Sequence, residues 1–338
     1  MACESKGAFR FLLVSWMTAT LAAMPMVGRA QDDRHVRHPV IVSSNHIQAG
    51  GADVQVDFAA GELDVSTNEV LHWIQTAVHS VVVYYGRFPV SRARILVVPE
   101  SGEKGILQGT TWGDMDGFPG FTRIRLGQHS TVKDLSDDWT MTHELVHMAF
   151  PSMPESEHWI EEGLATYIEP VARVQAGNLE AQQIWSDMMD GMPKGEPKAN
   201  DLGLDRTHTW GRTYWGGALF CLVADVEIRK QTGNRMGLQN AMRAIVAQGG
   251  TIDRNWELKQ ALDIGDRATG TGVLTKMYAE WGMTPVQVDL DRLWSELGVH
   301  REGSNVVFDL KAPLAKIGES ITAPAPDRVE RGAPQHVQ

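Results

Sequence analysis

His143-Glu144-Leu145-Val146-His147 and Trp159-Ile160-Glu161-Glu162-Gly163-Leu164-Ala165-Thr166-Tyr167 are the two stretches on which the reading of this chain turns. On a helix, residues four apart share a face, so the imidazoles of His143 and His147 can reach one metal ion. Glu144 stands beside them, placed to take a proton from a water that the metal activates. Trp139, Val146 and Phe150 make the flanks of a half-buried helix, and Pro151 and Pro154 end it. A catalytic zinc site keeps three protein ligands and one open position, so a third ligand must come from elsewhere. The link 151–156 reverses the chain, and a second helix running back can bring a carboxylate, Glu161 or Glu162, to the metal. Fourteen residues separate His147 from Glu162, a suitable length for one such reversal. The small Gly163 and Ala165 are expected to let these two helices approach closely.

Outward from this core, the 338-residue chain has globular composition, 43% hydrophobic and 22% charged. That excludes a collagen-like or wholly disordered chain. Lys and Arg number 31 against 42 Asp and Glu, a net charge of −11, which disfavours nucleic acid as a partner. Residues 1–30 carry Lys6 and Arg10, then an apolar stretch from Phe11 to Met26, then Gly28-Arg29-Ala30. This is the pattern of a signal peptide cleaved after Ala30, and it implies a periplasmic or secreted protein. A buried N-terminal helix is the alternative. Cleavage would leave 28 basic and 41 acidic residues, net −13, and a lone Cys221, so no intrachain disulfide is available. No remaining apolar run is long enough for a membrane span.

Strands come first in the pattern and helices later. Alternation over 39–58, with a turn at Gly50-Gly51, predicts strands, as do Arg94–Pro99 and Phe121–Leu126. Residues 66–86 carry apolar residues at helical spacing behind Ser66 or Thr67 as N-cap. Residues 100–120, rich in glycine, read as a loop with a possible edge strand. Further helices are predicted over 137–150, 157–185, 210–232, 236–248, 271–282 and 286–297. The fold class is therefore α+β, with a mixed N-terminal lobe over 31–135 and a catalytic region with a helical C-terminal lobe over 136–310. Residues 311–338 form a Pro- and Ala-rich tail, with disorder expected from Ala323 onward.

HELVH followed by WIEEGLATY resembles the gluzincin zinc metallopeptidases, whose pattern is HExxH, a spacer, then W-x-x-E-G-x-A-x-Y. The metzincin pattern fails, because its glycine and third histidine fall on Phe150 and Met153. The resemblance implies a thermolysin-like peptidase core, one catalytic zinc ion held by His143, His147 and Glu162, and Glu144 as general base. Helical phase agrees: Trp159, Glu162, Gly163 and Thr166 share a face, while Glu161 points about 100° away. Thr166 could hydrogen-bond a ligand. Residues 212–233 are similar to the helix that follows the zinc ligands in the large zinc aminopeptidases and the glycyl aminopeptidase-like group. On that match Tyr214 donates to the oxyanion, and Gly216 stands where the former carry lysine. The G-x-M-E-N strand that holds a substrate's amine in the large aminopeptidases has no counterpart. Gly109–Leu126 is the nearest place, where a substrate strand could pair with an edge.

The expected function is hydrolysis of peptides or proteins. The alternatives are a zinc-stabilised binding protein without turnover and a zinc hydrolase of non-peptide substrates. His208 and His158 read as surface residues, with a place in the cleft wall as the second reading of His208. Trp210, Tyr214, Trp215 and Phe220 read as core at helical spacing, and Cys221 as a buried structural thiol. Asp114-Met115-Asp116-Gly117 has the wrong onward spacing for a calcium loop.

Overall fold

The computed structural model describes residues 39–324; the signal peptide expected over 1–30 and the tail from residue 325 lie outside the described residues. Strands β1 (Ile41–Ala49) and β2 (Ala52–Ala59) pair antiparallel about the Gly50-Gly51 turn. Helix α1 (Thr67–Tyr85) follows. Its first turn is fixed reciprocally: Ser66 Oγ accepts from the Glu69 N–H, and the Glu69 carboxylate accepts from the Ser66 N–H. Strand β3 (Arg92–Glu100) then lies parallel to β2. A hairpin of β4 (Ile106–Met115) and β5 (Phe118–Gly127) completes a five-stranded mixed sheet in the order β1-β2-β3-β5-β4. Strand β4 is therefore an edge.

Alternation decides the sheet's two faces. Val54, Val56, Ala93, Ile95, Val97 and Ile124 point to the helices and are fully buried. The opposite face carries Asp57 paired with Arg94 at 2.7 Å, and Arg94 and Arg123 lie over the rings of Phe121 and Trp112.

Past the sheet the chain is helical: α2 (Val132–Ser136), α3 (Thr140–His147), α4 (His158–Gln175), α5 (Ala181–Gly191), a π-helical turn (Gly211–Gly216) that leads into α6 (Gly217–Thr232), α7 (Leu238–Ala247), α8 (Leu258–Thr269), α9 (Val273–Trp281) and α10 (Leu290–Leu297). A hairpin of β6 (Val299–Glu302) and β7 (Asn305–Phe308) and helix α11 (Ala315–Ile321) end the described chain. One buried apolar cluster runs from Ile47 in β1 to Ile321 in α11.

Several elements differ from expectation. The glycine-rich stretch 100–120 holds a ten-residue strand, β4. The helix expected over 157–185 is two, parted where the Gly177 and Asn178 N–H groups fold back onto the Val174 and Arg173 carbonyls. Helix α8 and the β6–β7 hairpin went unread, and the last predicted helix begins at Leu290 rather than 286. Part of the tail expected over 311–338 is ordered, because Ile317 and Ile321 of α11 reach the core. Gly163 does not serve the approach of α4 to α3: a Cβ there would meet the backbone of Gly217, so it serves the crossing of α4 and α6.

Candidate active site

The site is assembled from four elements: α3, α4, the edge strand β4 and the π-helical turn. Asp138 starts α3, its carboxylate accepting from the Thr140 and Met141 N–H groups at 2.9 Å. From the helix so begun, His143 and His147 project from one face toward α4. Glu162 Oε2 lies 3.2 Å from His143 Nε2 and 3.7 Å from His147 Nε2. One donor atom from each of the three falls within 4.8 Å of the other two. Zinc bound tetrahedrally at about 2.0–2.1 Å would set its ligands roughly 3.3 Å apart, so two imidazoles and a carboxylate so spaced fit that ion.

Burial tunes the donors. It depresses His147 to about 4, which keeps the imidazole neutral and able to ligate. Burial works the other way on Glu162, but hydrogen bonds from His143 and His158 overcome it and hold the carboxyl well below its usual range. Glu144 is also buried, which raises its pKa; a hydrogen bond from Thr111 opposes that rise.

Two neighbours of the site were not foreseen. Thr111, on β4, donates to Glu144 Oε2 at 2.8 Å and lies 2.8 Å from Thr122 Oγ1 on the next strand. On the same strand Gly109 faces Glu144 so closely that a Cβ would come within 2.5 Å of the glutamate side chain. Only glycine leaves room for the glutamate, and the same glycines made β4 read as a loop. His158, read as a surface residue, has a side chain 42% exposed, yet it bridges Glu161 Oε2 at 3.1 Å and Glu162 Oε1 at 3.3 Å. Those two hydrogen bonds push it up to about 10, so it stands as a cation behind the Glu162 carboxylate. A histidine one turn before Glu162, at i and i+4, is the sequence signal that marks it. Thr166 takes no such part: the close partners of the Glu162 carboxylate are His143 and His158.

Tyr214 enters from the π-helical turn, a geometry frequent at functional sites. Its ring stacks toward His143 at 6.4 Å, and burial, with the nearby Glu162 charge, pushes its hydroxyl up to about 12. It is thus a neutral donor at ordinary pH. Gly216, at the place of the missing lysine, is buried against Leu204 and Arg212. The aromatic run divides: Phe220 is core, whereas Trp210 is 62% exposed and stacks on Tyr214 at 5.9 Å. His208 is exposed and lies outside the cleft wall, Asp114–Gly117 is the β4–β5 turn, and Cys221 is buried. The cleft has a volume of about 820 Å³ and is walled by β4, α3, α4 and Tyr214.

No protein-family model and no curated protein matches the chain by sequence. Solved structures do match it by fold. An aminopeptidase N family protein from Idiomarina loihiensis aligns over 76% of this chain and 49% of its own, with a TM-score of 0.54 at 11% identity. A two-domain M1 zinc metallopeptidase bound to L-arginine aligns over 73% and 53%, with a TM-score of 0.48 at 14% identity. The M1 zinc metallopeptidase of Deinococcus radiodurans aligns over 74% and 52%, with a TM-score of 0.45 at 14% identity. The chain spans about half the length of the structures it matches. Among the described residues no helix is long and apolar enough to cross a membrane. At these identities the likeness is one of fold: a mixed sheet and helices arranged as in part of an aminopeptidase N family protein.

Proposed function

We propose that this chain is a zinc-dependent peptidase of gluzincin type, exported by its first thirty residues to a periplasm or beyond the cell. The observation that carries the reading is the convergence of His143, His147 and Glu162, with Glu144 held by Thr111 beside them. His143, His147 and Glu162 would hold the zinc ion, which would supply Lewis acidity and lower the pKa of water there toward about 7. Glu144, whose burial favours its protonated form, accepts the proton of the attacking water and passes it to the leaving amine. Tyr214 donates to the oxygen that gains charge as the carbonyl becomes tetrahedral. The edge strand β4 offers its free backbone groups to an extended substrate, with Gly109 and Thr111 next to the base. His158 holds Glu162 in place from the side away from His143.

Metal analysis paired with digestion of a peptide library, with and without chelator, tests this. Glu144→Gln should keep the metal and lose nearly all turnover, and Tyr214→Phe should keep the metal while kcat falls about 10²–10³-fold. A metal-loaded native protein that cleaves nothing would instead favour the non-catalytic binding role or a non-peptide substrate.

A further inference from the structure

Tyr214 sits on a turn that is packed from beneath with no side chain to spare. The π-helical turn Gly211–Gly216 lies backbone against backbone on the 3-10 turn Met192–Gly195. A Cβ on Gly211 would run into the Lys194 carbonyl, and one on Gly195 into the backbone of Trp215. Turns of this kind are rare and occur mostly at functional sites. Within this one, Arg212 is turned inward and is 3% exposed, while Tyr214, two places on, faces His143.

The Arg212 guanidinium is held by two groups. Nη1 donates to the Gly195 carbonyl, and Nε lies 2.8 Å from Asp201 Oδ2, a charge contact without hydrogen-bond alignment. Nη2 is buried with no hydrogen-bond partner among the described residues. Asp201 is 8% exposed, and its Oδ1 accepts from the Gly203 N–H at 2.9 Å. The loop just beyond is fixed to the end of α9, where the Leu204 and Asp205 N–H groups donate to the Trp281 and Gly282 carbonyls at 2.8 and 3.0 Å. Two charges taken out of water and only partly aligned return less than they cost, so an apolar pair of like size would leave the fold as stable or more so. What the ion pair supplies is a fixed point, with one end on a loop tied to α9 and the other two residues from the phenol.

We propose that Arg212 and Asp201 are positioning residues for Tyr214, holding the π-helical turn in the one conformation that aims the phenol at the oxygen that gains charge. Neither residue lines the cleft, so their influence on turnover runs through Tyr214. The proposal rests on the peptidase reading for its chemistry, whereas the placement of the phenol can be observed without metal or substrate.

The test uses the full chain and three variants: Asp201→Asn, Arg212→Lys, and the apolar pair Asp201→Leu with Arg212→Met. Each is made alone and on Tyr214→Phe. With 3-fluorotyrosine at the chain's five tyrosines, the fluorine resonance of Tyr214 in metal-free protein is identified by its loss in Tyr214→Phe. That resonance should shift or broaden in all three variants, while the melting temperature of the apolar pair stays at or above the native value. On zinc-loaded protein, with a peptide cleaved in the library digest, kcat should fall about 10–100-fold in the apolar pair with KM and zinc content unchanged. The same changes on Tyr214→Phe should add less than about twofold, because the two act on one group. A Tyr214 resonance unmoved in all three variants, or an equal loss of kcat with and without the Tyr214 hydroxyl, overturns the proposal and leaves the peptidase reading intact. Loss of the cooperative melt in every variant would make the pair a stability element and also overturns it. If the native protein cleaves no peptide, the peptidase reading falls, and the resonance alone decides whether the pair places Tyr214: a shift upholds it, and no shift ends it.

Discussion

Burial acts on Glu144 and His147 in opposite senses, and both outcomes suit the chemistry. The imidazole is kept neutral and the carboxyl is made a stronger base. In the metal-free protein the raised pKa of Glu144 means that its ionised form is disfavoured by folding. Glu144 then costs no stability below the unfolded carboxyl pKa, and its cost grows as the pH rises through the folded value. Glu144→Gln should accordingly raise the melting temperature of metal-free protein at pH 8, with the gain shrinking toward pH 4; an equal gain at both pH values would contradict the sign. His158 works from behind Glu162, and His158→Gln should weaken zinc retention about 10–100-fold in a chelator competition. Unchanged retention would remove it from the site. His143 and His147 could be paired from their spacing alone, because one ion constrains residue type and spacing together, whereas Glu162 is told from Glu161 by the family resemblance and helical phase. Thr111 could not be foreseen, since a threonine on a strand carries no mark of the glutamate it will meet 33 residues later.

At the scale of elements, the crossing of α4 and α6 fixes where Glu162 and Tyr214 meet. Gly163 and Gly217 face each other there, backbone against backbone. On an exposed helix Gly→Ala gains about 1 kcal/mol, but here the added methyl must push two helices apart, which typically costs about 1–3 kcal/mol. Gly163→Ala should therefore lower the denaturation midpoint in urea, and a raised midpoint would show the crossing to be loose. The elements that could be read in advance are those whose local signals agree. Helix α1 combines a capping box with an apolar stripe, and β3 and β5 are short apolar or alternating runs. Strand β4 was obscured because its glycines answer to Glu144 and to the Ile252 backbone rather than to strand propensity. Helix α8 was obscured because Asp266 and Thr269 sit on its buried face, where Asp266 accepts from the Leu274 and Thr275 N–H groups to start α9.

Across the described residues, the five-stranded sheet comes before most of the helices and one large apolar cluster links the two, so His143, His147 and Glu162 are anchored on a shared core. Among the described residues Cys221 is free and buried, and no disulfide contributes to that core. The candidate site lies where the sheet's edge meets α3 and α4, with burial enough to tune its acids and exposure enough to admit a chain. The proposed chemistry requires that Glu162, and not its neighbour Glu161, complete the metal set. The most direct measurement is the zinc content of purified native, Glu162→Gln and Glu161→Gln proteins by elemental analysis after dialysis. One zinc per chain in the native and Glu161→Gln proteins, with little or none in Glu162→Gln, is the predicted result; full zinc in Glu162→Gln would contradict the account.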